Sequence, residues 1–154
     1  MKSKLLFSLF LGSALGLSAQ GFKDGVEYYR ADQPEEAAII LTNTLNQAGT
    51  DQSTAYYYLG QIALKNGDKA AAKSNFDKGM AANPDNGYNY VGLGALALAD
   101  GNASDASRYF KDAKGKAKKN ADILTEIARA YFVSDPVKYD KEIEKALADA
   151  KKAE

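Results

Sequence analysis

A repeat of 34 to 35 residues constrains this chain more than any other feature of its sequence. Three kinds of residue recur together: a glycine, an alanine twelve positions later, and a large apolar residue four positions after the alanine. These columns are Gly25, Gly60 and Gly94; Ala37, Ala72 and Ala106; and Leu41, Phe76 and Phe110. A fixed period in this range is typical of stacked supersecondary units, each of which buries its apolar face only against its neighbours.

Turn residues give the same register independently of the apolar columns. An aspartate or asparagine stands where the second helix of each unit needs an N-cap, at Asp32, Asp68, Asn102 and Asp135. Pro34 and Pro136 fall in the first turns of such helices, and Gly67 and Gly101 stand where a glycine closes the preceding helix. The predicted helix pairs are 22–31 with 34–46, 53–66 with 69–82, 87–100 with 103–118, and 121–133 with 136–152. No strand pattern competes, so we predict an all-α fold.

Residues 53–86 resemble one tetratricopeptide repeat (TPR), which is also 34 residues long. The matching positions are Tyr56 for the first aromatic residue, Leu59-Gly60, Ala72, Phe76 and Pro84. Residues 87–120 repeat the pattern with Tyr90, Leu93-Gly94, Ala106, Phe110 and Ala113, although Lys118 stands at the final proline position. The resemblance implies a right-handed α-solenoid of about 3.5 to 4 helix-turn-helix repeats.

The outer repeats are weaker versions of the same unit. The resemblance divides the domain, residues 21–154, into repeats of about 21–52, 53–86, 87–120 and 121–152. The first is a truncated starter repeat. The second helix of the last offers mainly Ile143 and Leu147 beside alanines. Such a narrow apolar stripe is typical of a capping helix, and the edge of a longer array is the alternative.

The first twenty residues have the three-part pattern of a secretory signal peptide. Two lysines lie within residues 1–4, an uncharged and mostly apolar run covers 5–17, and small residues follow at 18–20. A thirteen-residue helix reaches about 20 Å, which is short of the roughly 30 Å hydrocarbon core, so we expect cleavage and no membrane span afterwards. An uncleaved anchor is the alternative. We therefore expect an exported protein, periplasmic or extracellular.

Composition excludes several classes of function. The chain has no cysteine, histidine or tryptophan, which removes thiol chemistry, histidine-based triads and the usual zinc ligands. Its 20 basic and 20 acidic residues balance, which argues against a nucleic-acid partner. The lysines at 111, 114, 116, 118 and 119 are interpreted as a solvated helix face, and a patch for an acidic partner is the less favoured alternative. We expect no catalytic residue, cofactor or metal, and therefore no enzyme.

In the tetratricopeptide family the first helix of each pair lines a concave groove that binds protein segments. The resemblance carries this role to Tyr29, Arg30, Tyr57, Gln61, Leu64, Tyr88, Val91, Ala95, Leu98, Thr125 and Arg129. The run Tyr56 to Tyr58 spans 200° of a helix, so not all three rings can face the core. The motif makes Tyr56 the buried ring and leaves Tyr57 either exposed or packed.

The expected partner is a protein segment with apolar or aromatic residues. Some family members clamp an acidic carboxyl terminus with lysine, asparagine and arginine, but the matching positions here are Phe22, Val26, Tyr58, Tyr88 and Gly92. The sequence thus predicts a non-catalytic scaffold of the bacterial cell envelope, of the exported Gram-negative type. A regulatory or capping part of a larger self-associating assembly is the alternative, and the oligomeric state is left open.

Overall fold

The computed structural model describes residues 11–117 and 120–154, and every regular element in these ranges is a helix. The helices are α1 Leu11–Arg30, α2 Pro34–Thr44, α3 Gln52–Lys65, α4 Lys69–Ala82, α5 Gly87–Ala99, α6 Ala103–Ala117, α7 Ala121–Ser134 and α8 Asp140–Lys151. Successive helices form four antiparallel pairs, as the period predicts. The first helix of each pair packs on the first helix of the next, so α1, α3, α5 and α7 form one layer.

Short polar side chains start the helices in the central repeats. Asp68 accepts a hydrogen bond from Ala71 N at 2.9 Å, and Asn102 accepts one from Asp105 N at 3.0 Å, which confirms both predicted N-caps. Gly67 and Gly101 have φ values of 79° and 75°, in the left-handed region that favours glycine. Asp51 also caps α3, accepting from Thr54 N.

Asp32 is not the N-cap that its position suggested. Gln33 precedes α2 without a side-chain cap, and Asp32 has a φ of 61°. Asp32 therefore occupies the left-handed position that Gly67 and Gly101 hold in the next two repeats. Aspartate tolerates this conformation better than most residues because its short side chain can form local polar contacts. Its carboxylate is paired with the Lys65 ammonium.

The glycine and apolar columns are contact partners within the first three helix pairs. A Cβ added to Gly60 would lie 2.3 Å from the Phe76 ring, and one added to Gly94 would lie 2.3 Å from the Phe110 ring. Gly92 of the next repeat is equally close to Phe76. The absent side chains thus let each aromatic ring sit between helix axes, and Phe76 joins two successive helix pairs.

The helix boundaries differ from prediction at both ends of the chain. α1 begins at Leu11 and runs without interruption to Arg30, whereas the sequence predicted a start near residue 22. Residues 1–10, which make up the first half of the predicted leader, lie outside the described residues. Lys118 and Lys119 do so too. No helix in the described ranges is long and apolar enough to span a membrane.

The last helix begins four residues later than predicted. Asp135 ends α7 and accepts hydrogen bonds from Val137 N and Lys138 N, so it caps a separate turn, and Tyr139 precedes α8. Ala146 and Ala150 face the core. Glu144 and Lys145 are exposed on the other side of the helix. Leu147, which the sequence placed in the apolar stripe, is 48% exposed, so the outer face is less polar than that of a simple capping helix.

Candidate protein-binding groove

The inner layer of helices surrounds a pocket of about 690 Å³. Each of α1, α3, α5 and α7 contributes side chains to it. The lining residues are Tyr29, Asp32, Pro34, Gln61, Leu64, Lys65, Lys69, Ala95, Leu98, Ala99, Glu126, Arg129, Ala130, Val133 and Ser134. We call this set of residues the groove pocket. A second depression of about 640 Å³ lies along α4 and is lined mainly by lysine and aspartate side chains.

Six of the predicted groove residues line this pocket together. They are Tyr29, Gln61, Leu64, Ala95, Leu98 and Arg129. Helical spacing explains the grouping, because Gln61, Leu64 and Lys65 lie on one face of α3. One repeat later Ala95, Leu98 and Ala99 do the same on α5. The groove pocket is therefore built from equivalent faces of successive repeats.

Two predicted contacts are instead part of the core. Tyr57 and Val91 are both 0% exposed, so neither side chain offers a surface to a partner. The Tyr57 ring packs against Tyr58 and Tyr88, and its hydroxyl donates a 2.8 Å hydrogen bond to Glu126 Oε2 on α7. Tyr58 is also buried, whereas Tyr56 is only half-buried, which corrects the prediction that Tyr56 is the core ring.

The remaining three predicted residues lie outside the groove pocket. The Tyr88 ring packs against Tyr57, with 5.1 Å between ring centroids. Arg30 donates a hydrogen bond to Glu27, one turn earlier on α1. Thr125 Oγ1 donates to the carbonyl oxygen of Ala121. None of the three lines the cavity.

A continuous set of tyrosine rings lies beneath the groove pocket. Ring centroids are 5.1 Å apart for Tyr29 with Tyr58 and for Tyr58 with Tyr57, and Tyr57 continues the set to Tyr88. Burial raises the pKa of Tyr29 to about 12, an effect that the nearby Arg129 guanidinium reduces. Burial raises the pKa values of Tyr57, Tyr58 and Tyr88 as well. These hydroxyls are neutral at physiological pH.

Charged groups around the groove pocket are paired with one another. Arg129 lies 3.5 Å from the Glu126 carboxylate, and its guanidinium carbon is 5.8 Å from the Tyr29 ring centroid. Lys65 pairs with Asp32. Lys69 donates to Asp100 and to the Ala99 carbonyl oxygen. The cavity therefore presents apolar walls with a self-compensated set of charges.

The resemblance did not identify several lining residues, although a signal for some of them existed. Glu126, Ala130 and Val133 share one face of α7 with Arg129, at offsets of three and four residues. Extending the prediction along that face would have found them. Asp32 belongs to the turn before α2 and Pro34 is the first residue of α2, so neither lies on the first helix of a pair, where the resemblance places the groove.

Comparisons with known proteins show the fold. The structure is similar to the crystal structure of MamA, with a TM-score of 0.54 over 88% of this chain and 77% of the MamA chain. The chain has a TPR-type solenoid fold. Sequence identity to MamA is 20%, so this likeness concerns architecture alone. No protein-family model and no curated protein matches the sequence.

Proposed function

We propose that this chain is a non-catalytic scaffold that binds a protein segment in the groove pocket. The observation that carries the proposal is the convergence of α1, α3, α5 and α7 on one cavity of about 690 Å³ that combines apolar walls with polar groups. Sites that recognise ligands are typically concave, mostly apolar and supplied with a few polar groups. Leu64, Ala95 and Leu98 supply apolar walls, while Gln61 and Arg129 supply hydrogen-bond donors.

Tyrosine and arginine at the pocket support a protein partner. Both residue types are enriched at interfaces because they combine a large contact area with hydrogen bonding. Tyr29 and Arg129 already pack on each other, so a partner would meet a preorganised surface. Such preorganisation lowers the entropic cost of binding. We infer that the partner segment carries apolar or aromatic residues.

The test is selection of peptides from a displayed library against the purified protein, followed by affinity measurements on two matched variants. Ala95→Phe fills part of the groove pocket, and Ala81→Phe places the same side chain on the exposed side of α4. We expect at least tenfold weaker binding for Ala95→Phe and unchanged binding for Ala81→Phe. If the selected peptides bind both variants equally, the binding site lies outside the groove pocket.

We propose an envelope location, periplasmic or extracellular, on the basis of the leader-like residues 1–20. Cell fractionation followed by intact mass measurement tests both parts of this proposal. An exported protein that has lost about 20 residues is the expected result. A full-length protein in the cytoplasmic fraction would overturn it.

A second candidate function is self-association into a larger envelope assembly. Phe132, Val133 and Val137 are 60%, 76% and 86% exposed at the end of α7 and in the turn that follows it. In the preceding repeat Leu98, 34 residues before Phe132, is only 7% exposed and lines the groove pocket. Sedimentation of the wild type and of Phe132→Ser over a range of concentrations tests this candidate. A mass that rises with concentration only in the wild type would favour it.

A further inference from the structure

The N-terminal half of the concave layer is filled by the protein itself. Tyr57, Tyr58 and Val91 are buried there, and the Tyr88 ring packs on Tyr57. The hydrogen bond from Tyr57 to Glu126 connects α3 to α7 across this region. A polypeptide therefore has no open path along the full length of these helices.

The groove pocket occupies only the C-terminal half of the same layer. Its first lining residues are Gln61 on α3, Ala95 on α5 and Glu126 on α7, while Tyr29 stands next to the end of α1. All other lining residues of these helices follow them in sequence. The cavity is thus closed below by the tyrosine rings and opens toward the turns that end the four helices.

The closed end of the pocket favours a neutral occupant. Arg129 and Glu126 face each other there, and Tyr57 already donates to the same carboxylate. Because the two charges compensate each other, an entering ammonium or carboxylate would be attracted by one of them and repelled by the other, and would find no net opposite charge to balance the loss of its hydration. Leu64, Leu98 and Ala130 offer apolar contacts instead.

We propose that the groove pocket recognises its partner by a single bulky, neutral anchor side chain, aromatic or branched aliphatic, inserted from the side of the interhelical turns. This inference rests on the proposed function and specifies how it is performed. The partner's main chain crosses the mouth of the pocket, near Lys65 and Ala99, and does not run along the groove. The cavity has a volume within the range of about 300–1,000 Å³ that is usual for ligand pockets, and well-packed pockets are where interface energy concentrates.

The first test uses N-acetyltryptophanamide, a neutral anchor without charged ends. Because the chain contains no tryptophan, the indole of the probe is the only one in the sample, and its fluorescence can be followed directly. We expect a saturable blue shift with a dissociation constant of about 1 mM, the strength of a weak isolated contact. N-acetylglycinamide should not compete, and N-acetylleucinamide should. Absence of a saturable shift would overturn the proposal.

Two substitutions that partly fill the groove pocket test whether the probe binds there. Ala95→Phe should weaken probe binding at least tenfold. The second blocking variant is Ala99→Phe, at an exposed lining position. Phenylalanine is used because a tryptophan would add an indole to the protein. If Ala95→Phe fails to fold, Ala99→Phe still tests whether the probe occupies the groove pocket. Ala81→Phe should bind the probe as the wild type does, and equal binding by all four proteins would contradict the assignment.

Alanine scanning of library-selected peptides separates this inference from the proposed function. The inference predicts one position whose truncation lowers affinity at least tenfold, with small effects elsewhere. Several strong positions at regular spacing would show a segment lying along a groove; the scaffold function would then stand and the single-anchor inference would fall. Failure to select any pocket-dependent peptide would remove the scaffold proposal, whatever the probe does.

Discussion

At the residue scale, the glycine and aromatic columns were readable from the sequence because each has a simple steric cause. Gly60 and Phe76 lie on the two helices of one pair, and an added Cβ would stand 2.3 Å from the ring. Real atoms do not approach so closely, so a side chain at Gly60 forces the ring or the helix to move. The same spacing of glycine and aromatic residue therefore occurs in both central repeats.

Gly60→Ala should destabilise the fold by about 1–3 kcal/mol through overpacking. Gly115→Ala is its matched control, because that glycine lies within α6, is exposed and has no atom within 4 Å of an added Cβ. The control should stabilise the protein by about 0.5–1 kcal/mol, since alanine favours helix over glycine. Urea denaturation monitored by circular dichroism measures both changes. Equal effects of the two substitutions would contradict the packing argument.

Other residues could not be placed from the repeat pattern. Asp32 was read as an N-cap because aspartate is common there, yet its backbone is left-handed and it stands in the column of Gly67 and Gly101. Counting 35 residues back from Gly67 reaches Asp32, so the periodic register was the better guide. The residue type alone did not decide between the two positions, because aspartate is favoured as an N-cap and also tolerates the left-handed conformation.

At the element scale, helix number and pairing followed from the sequence, whereas the start of α8 did not. Pro136 in a predicted first turn suggested a helix from residue 136, but Asp135 caps only a turn, and α8 begins at Asp140. A proline fits the first position of a turn as well as that of a helix, so this signal alone does not decide between them.

A buried polar network holds α3, α4 and α5 in register. Ser53 Oγ donates to the Gly79 carbonyl oxygen at 2.8 Å, and Asn89 Nδ2 donates to Ser53 Oγ and to its carbonyl oxygen. Ser53→Ala should cost about 1–3 kcal/mol, because it removes one of the two hydrogen bonds of the Gly79 carbonyl oxygen and one of the two that Asn89 Nδ2 donates. Ser107→Ala, at an exposed position of α6, should change stability by less than about 0.5 kcal/mol. A matching small effect at Ser53 would show that the network adds little.

The hydrogen bond between Tyr57 and Glu126 joins helices that are separated by one intervening helix pair. Tyr57→Phe should lower the free energy of unfolding by about 1.5–3 kcal/mol, the range for a hydrogen bond to a charged group. A double-mutant cycle with Glu126→Gln isolates the contact from the other effects of each substitution. A coupling energy near zero would mean that packing of the ring, and not its hydroxyl, holds α7 against α3.

At the scale of the whole molecule, the depth and closure of the groove pocket were beyond the reach of the repeat pattern. The pattern identified the helix faces, and six predicted residues line the cavity. It did not show that α7 comes close enough for Arg129 to cover the Tyr29 ring and for Glu126 to meet Tyr57. Small rotations between successive pairs add up over the stack, and contacts across several repeats depend on that sum.

The buried tyrosines predict how the whole fold responds to alkaline pH. Burial raises the pKa of Tyr29 to about 12 and also raises those of Tyr57, Tyr58 and Tyr88, whereas an unfolded tyrosine titrates near 10. Below pH 10 both states keep these protons, so their contribution to stability is fully present. Above about pH 10 the unfolded chain releases protons that the folded chain retains, and stability is lost as pH rises toward and through 12.

Urea midpoints between pH 8 and 11.5, with tyrosinate absorbance recorded in parallel, measure this effect. We expect the midpoint to fall above pH 10 and part of the tyrosinate signal to appear only together with loss of helix. Tyr29→Phe should flatten the fall, while Tyr28→Phe, at an exposed position of the same helix, should not. If all ten tyrosines ionised near pH 10 with the helices intact, the rings beneath the groove pocket would be open to solvent. The closed lower end of the pocket, on which the single-anchor mode of recognition depends, would then be lost as well.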